Sequence, residues 1–238
     1  MKFLKENDIN SIRDVAITLL NFPITPNKMF PFFCSHPFSN CIATYIQSET
    51  ENKLIPLKLT EEDDYKKWIN FMEEEITKWE LNDFFININK PYLLTFLKYT
   101  KPYMTKSTFS EYLEYCWVIE ENPNDDVNCP IPTLIKWFKE ADKTILMDKD
   151  EYEIYTTLPD NFNIYRGVAV GRNPKGISWT NDYKTAEWFA HRYDKTDKKG
   201  YIETLTIKKE DVLAYFNSRN EKEIVLDITN YRNKIIKL

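Results

Sequence analysis

The sequence predicts an α+β protein: a mostly helical part over residues 1–128, then a compact strand-rich part over 129–238. Two observations carry this. In the first part apolar residues recur three and four apart, the period of a helix with one buried face. After Leu158-Pro159-Asp160 the texture changes to short runs rich in β-branched residues. Their order of strand, strand, helix, strand, strand lacks the regular alternation of a doubly wound sheet. With 238 residues the chain forms one large domain or two smaller ones, and an aromatic content of 15% excludes global disorder.

The elements follow in order. Over 64–81, Trp68, Phe71, Met72, Ile76 and Trp79 share one helical face. Thr108-Phe109-Ser110-Glu111 reads as a capping box opening a helix that carries Tyr112, Leu113, Cys116 and Trp117. The breakers Asn122-Pro123-Asn124-Asp125-Asp126 and Cys129-Pro130-Ile131-Pro132 mark the boundary between the parts. A helix over 133–141 buries Leu134, Ile135, Trp137 and Phe138. Strands are expected over 163–170 and 176–180. Asn181-Asp182 then caps a helix carrying Ala186, Phe189, Ala190 and Tyr193. A strand over 201–207, a short helix over 209–216, and strands over 221–228 and 234–238 complete the chain.

Charge is unevenly divided. Residues 151–238 hold 15 Lys and Arg against 13 Asp and Glu, a net +2, while 1–150 carry −7. The C-terminal part is therefore the better host for an anionic ligand. Four cysteines in a chain this long do not form a disulfide framework, and Cys34, His36 and Cys41 lack the paired spacing of a zinc site, so no metal is expected. Met1 to Asp8 has no signal-peptide pattern and no stretch is apolar enough to span a membrane. A cytoplasmic setting without membrane association is expected.

All four glycines, Gly167, Gly171, Gly176 and Gly200, fall in the second part, which locates close approaches there. Among them lie Tyr165-Arg166-Gly167, Ser178-Trp179-Thr180 and Glu221-Lys222-Glu223. Arg166 offers a permanent planar charge for phosphate. Ser178 and Thr180 offer hydroxyls on one strand face, and Tyr165 and Trp179 offer flat surfaces. Glu221 and Glu223, read as neighbours on a strand face, repel unless a cation or developing cation is expected. Trp188 and Phe189 read as core, and His191 as an exposed or packed helix residue. Lys195, Lys198 and Lys199 read as a solvated loop or as contacts to a negatively charged target.

These three motifs, in this order and these elements, resemble the Arg-Ser-Glu class of ADP-ribosyltransferases over about residues 130–238. Trp179 stands where that family commonly has a small hydroxyl residue. The resemblance implies a mixed β-sandwich catalytic core over 129–238. Residues 1–128 would dock a target or partner, or support the core. It implies NAD as ADP-ribose donor, with Arg166 holding its pyrophosphate or ribose beside Tyr165, Gly167, Trp179 and Thr180, and Ser178 positioning the nicotinamide ribose. Glu223 would stabilise the oxocarbenium-like transition state and Glu221 would orient and deprotonate the acceptor, a protein arginine or a nucleic-acid base. The implied biology is a bacterial or phage toxin, defence or host-takeover enzyme, with an antitoxin or inhibitor as a further partner. The alternatives are a catalytically degenerate binding module of the same fold and an NAD glycohydrolase.

Overall fold

A computed structural model describes residues 3–48 and 53–238. The chain divides into two compact units, Met1–Thr105 with Ile119–Glu121, and Lys106–Val118 with Asn122–Leu238. The sequence places the division at 128/129 instead.

In the first unit, α1 (Ile9–Leu20) is capped by Asp8, whose carboxylate accepts from the Ser11 amide at 3.1 Å. Short strands β1 (Thr25–Pro26), β2 (Phe33–His36) and β3 (Ser39–Cys41) form a three-stranded sheet. β4 (Ala43–Gln47) pairs antiparallel with β5 (Leu54–Lys58). The expectation of a mostly helical region did not include these strands. They are two to five residues long and bury few apolar residues, so no clean apolar alternation marks them.

Helices α2 (Glu62–Lys78), α3 (Leu81–Asn87) and α4 (Leu93–Thr100) complete this unit. The amphipathic stretch becomes α2, with Trp68, Ile69 and Ile76 buried. Ile12, Leu20, Phe84, Phe85, Leu94, Phe96 and Leu97 fill the core. His36 is buried here as well. Its Nε2 donates to Leu20 O at 3.1 Å and its Nδ1 accepts from the Phe38 amide at 3.1 Å. Both ring nitrogens are thereby used in folding, and burial holds its pKa below the ordinary value. Among the described residues no group of three or more His, Cys, Asp or Glu is placed to hold a metal ion.

The second unit holds all but the last residue of α5 (Lys106–Ile119). This helix starts two residues before the expected capping box. Its Ser110 hydroxyl donates to Lys106 O at 2.7 Å and accepts from the Asp142 amide at 2.8 Å, tying it to the next helices. α6 (Ile131–Glu140), α7 (Lys143–Leu146) and α8 (Lys149–Thr157) follow. α6 buries the four apolar residues its spacing predicts. Trp117 packs edge-on against Phe138 at 5.1 Å and Phe109 against Trp137 at 5.9 Å, which anchors α5 in this unit.

The rest of the unit is β6 (Asn161–Val168), β7 (Ser178–Thr180), α9 (Tyr183–His191), β8 (Tyr201–Lys208), β9 (Val212–Phe216), β10 (Glu223–Leu226) and β11 (Ile236–Lys237). The strands join in the order β11-β8-β6-β7-β10-β9, every neighbouring pair antiparallel. β6 pairs with strands on both its sides. It registers with β8 over its whole length, but with β7 only at Tyr165–Thr180.

The expected helix over 209–216 is instead a single 3-10 turn followed by β9, whose five residues are all buried. Burial on both faces removes the alternation that marks a half-exposed strand, leaving an apolar run that periodicity alone cannot assign. Helix α9, capped by Asp182 as expected, lies against β6 and β8. Trp188 on this helix is exposed, against the expectation of a core residue. The close approach of α9 needs the bare backbone of Gly167. A Cβ there would sit 2.1 Å from Ala186 O and 2.4 Å from Ala190 N, with no flexible atom to give way. Among the described residues no helix is long and apolar enough to cross a membrane.

Gly167→Ala is therefore expected to lower stability by at least about 2 kcal/mol, because helix and sheet must move apart. A urea titration of the variant beside the native protein checks this.

Candidate functional site

Three adjacent strands, β6, β7 and β10, bring the motif residues together in the second unit. Ser178 sits at the centre. Its carbonyl accepts from Nη1 of Arg166, and its side chain lies close enough to the Glu223 carboxylate to favour the ionised form. Glu223 Oε1 accepts from the Trp117 indole N–H at 2.9 Å. Arg166 and Glu223 thus meet at Ser178, and Trp117 meets Glu223.

Arg166 owes its position to its surroundings. Its Nη2 donates to Asn173 O at 2.9 Å, so both terminal nitrogens hold backbone carbonyls. Gly176 lies flat against the guanidinium, where a Cβ would stand 2.3 Å from Nη2. Asn124 holds this loop by accepting from the Ile177 amide at 2.7 Å. Burial lowers the Arg166 pKa, and the carboxylates of Glu203 and Glu223 oppose that shift. Its Nε is buried without an acceptor among the described residues.

Glu203, the cross-strand partner of Arg166, was missed by sequence reasoning. It is 7% exposed, and burial raises its pKa against the pull of Arg166 and Lys237. A signal existed: in the pattern of β8, Glu203 shares its parity with the buried Leu205 and Ile207. An acid in an apolar register implies a cationic partner. Trp117 was also missed as a site residue, and nothing local marks it.

The remaining candidates are placed differently. Tyr165 and Gly167 lie on the face of β6 opposite Arg166 by strand alternation. Tyr165 packs with Ala186, Ala190 and Ile202 and stands edge-on to Tyr183 at 5.4 Å. Trp179 is 2% exposed, with its indole nitrogen buried and unpartnered among the described residues, so it has no free face for stacking. Thr180 donates to Glu221 O at 2.9 Å and accepts from the Asp182 amide at 3.1 Å, joining the end of β7 to the loop before β10.

Glu221 lies in that loop, not on the strand. Lys222 has φ 48° and Asn220 φ 57°, so the backbone turns left-handed and the expected side-by-side pair on a strand face is absent. Glu221 pairs with Arg219 at 2.8 Å, while Lys222 reaches Asp182 at 3.1 Å. The loop is clamped from α8, where Glu151 Oε1 accepts from the amides of Asn217 at 2.6 Å and Ser218 at 3.2 Å. Glu221 and Glu223 line one narrow crevice with Val118, Phe216, Ser218 and Arg219.

Glu223 is 5% exposed, and burial raises its pKa although Ser178 and Trp117 both favour the ionised form. Nearby, Glu114 of α5 rises to about 7, chiefly through burial and then through Glu151, Asp148 and Glu111. No protein-family model matches this chain, and no curated protein or solved structure matches it.

Two titration outcomes follow. A raised carboxyl pKa means the folded chain keeps its proton longer than the unfolded one, so stability falls as pH rises above the ordinary value of 4.5. Glu223→Gln keeps the acceptor for Trp117 and removes the buried charge, so its melting temperature exceeds the native one by a margin that grows with pH. For Glu114 the window closes near 7. Glu114→Gln is expected to gain on the order of 1 kcal/mol at pH 8, after solvent screening, and nothing near pH 4.5. Thermal melts across pH check both.

Proposed function

We propose that the second unit is an NAD-dependent mono-ADP-ribosyltransferase acting on a macromolecular acceptor, in line with the resemblance of its three motifs to the Arg-Ser-Glu class. The observation that carries this reading is the convergence of Arg166 and Glu223 on Ser178, from positions 12 and 45 residues away from it in sequence. Unrelated surface residues have no reason to converge in this way.

In this reading Glu223 is the catalytic carboxylate. Held by Ser178 and Trp117, it faces the positive charge that grows on the ribose as nicotinamide leaves, and its burial strengthens that interaction. Arg166 is a positioning residue. Its two Nη groups are spent on Ser178 O and Asn173 O, so its effect reaches the reaction through Ser178. Glu221, at the crevice mouth beside Arg219, is the group that meets an acceptor. The narrow crevice holds no dinucleotide as it stands, so entry of NAD requires the loop over 217–222 to move away from Glu223. The setting is a toxin, defence or host-takeover protein.

The burial of Glu223 favours a second reading, a catalytically silent binding module. One experiment separates the two. Purified protein and Glu223→Gln are incubated with labelled NAD and a cell lysate, and portions are then treated with nuclease or protease. Label dependent on Glu223 is expected, its removal by one treatment identifying a nucleic-acid or a protein acceptor. Free ADP-ribose without labelled macromolecule selects a glycohydrolase. No label and no nicotinamide release from folded protein selects the binding module.

A further inference from the structure

The C-terminal end of α9 and the turns beside it carry aromatic and cationic groups that the site above does not use. Trp188 is 61% exposed and Tyr193 48%. The Arg192 guanidinium lies 5.5 Å from the Trp188 ring centre, 4.8 Å from Phe189 and 4.8 Å from Tyr193. Arg172, tethered by the Asn122 side chain, approaches Tyr193 from the neighbouring loop at 5.4 Å. Arg192 Nε has no acceptor among the described residues.

The adjoining turn is built, not loose. The Lys195 amide donates to Lys198 O at 2.8 Å. Asp194 accepts from the Gly200 amide at 2.8 Å and contacts His191 Nδ1 at 3.0 Å. Asp194 is thus turned toward its own backbone, and Lys195, Lys198 and Lys199 are all exposed. Across 169–176 and 183–201 there are seven Lys and Arg against three Asp and Glu, the other acids being Glu187 and Asp197.

We infer that this surface, formed by Arg172, Trp188, Arg192, Lys195, Lys198 and Lys199, binds single-stranded nucleic acid. An exposed indole is a stacking platform for an unpaired base, and the surrounding cations, with Arg192 over the ring, follow the phosphates. Bases inside a duplex are already stacked and cannot reach a ring on a helix end. An acidic peptide would use the cations and leave the indole idle. The inference goes beyond the transferase reading, since binding here requires neither NAD nor Glu223.

Fluorescence anisotropy with labelled oligothymidylate and oligouridylate at low salt tests it, with no NAD present. Binding of at least one strand is expected, and the comparison of the two shows whether DNA or RNA is preferred. Trp188→Ala is expected to weaken binding about tenfold, while Trp188→Phe, which keeps a ring, restores most of it. Replacing Lys195, Lys198 and Lys199 with Ala is expected to reduce the salt slope by about 2. Circular dichroism shows that these surface variants fold. Glu223→Gln is expected to bind as the native protein does, so failure of the transferase reading leaves this result intact. No binding, unchanged binding in the Trp188→Ala protein, or tighter binding of duplex or of polyglutamate overturns the inference.

Discussion

The geometry of the second unit rests on the Arg166 guanidinium at the seam between β6 and β7. These strands register at one pair only, and Arg166 supplies a further tie by donating to Ser178 O across the seam. A lysine has one compact charge and no fork with which to hold two carbonyls at once. With Nη2 on Asn173 O, the same side chain fixes the loop that delivers β7. Gly176 exists at its position because this planar group fills the space where a side chain would be.

From that tie the position of Glu223 follows. Ser178, held at its carbonyl, sets its side chain beside the carboxylate, and the Trp117 indole on α5 donates to it from more than a hundred residues away. Ser178 and Trp117 favour the charged form and burial opposes it, with burial the larger effect. A buried carboxylate costs stability, which the Trp117 donor partly offsets. The loop before it is held by Glu151, which accepts from backbone amides, so a second acid near the site is engaged in structure.

Local pattern made much of this legible. The α9 cap at Asp182, the buried face of α6 and the strands carrying Arg166 and Ser178 were readable because each obeys a short-range rule of capping or period. The clustering of glycine was readable too, although its meaning was mixed. Gly167 admits a helix against a sheet, and only Gly176 bears directly on the site. Strand β9 was misread because complete burial erases the contrast between faces. Glu221 was misread because two left-handed residues, Asn220 and Lys222, interrupt the alternation that places Glu-x-Glu on one face.

The sequence by itself determined the α+β class, the order of the three motifs and the residues able to carry charge and hydrogen bonds. Those are properties of neighbours along the chain. Only the tertiary structure decided which of them meet: Ser178 as the link between Arg166 and Glu223, Trp117 and Glu203 as their partners, and Tyr165 and Trp179 as packing groups. Such contacts join positions from a dozen to a hundred residues apart, and strand pairing and side-chain burial, which select among them, leave no mark on local spacing.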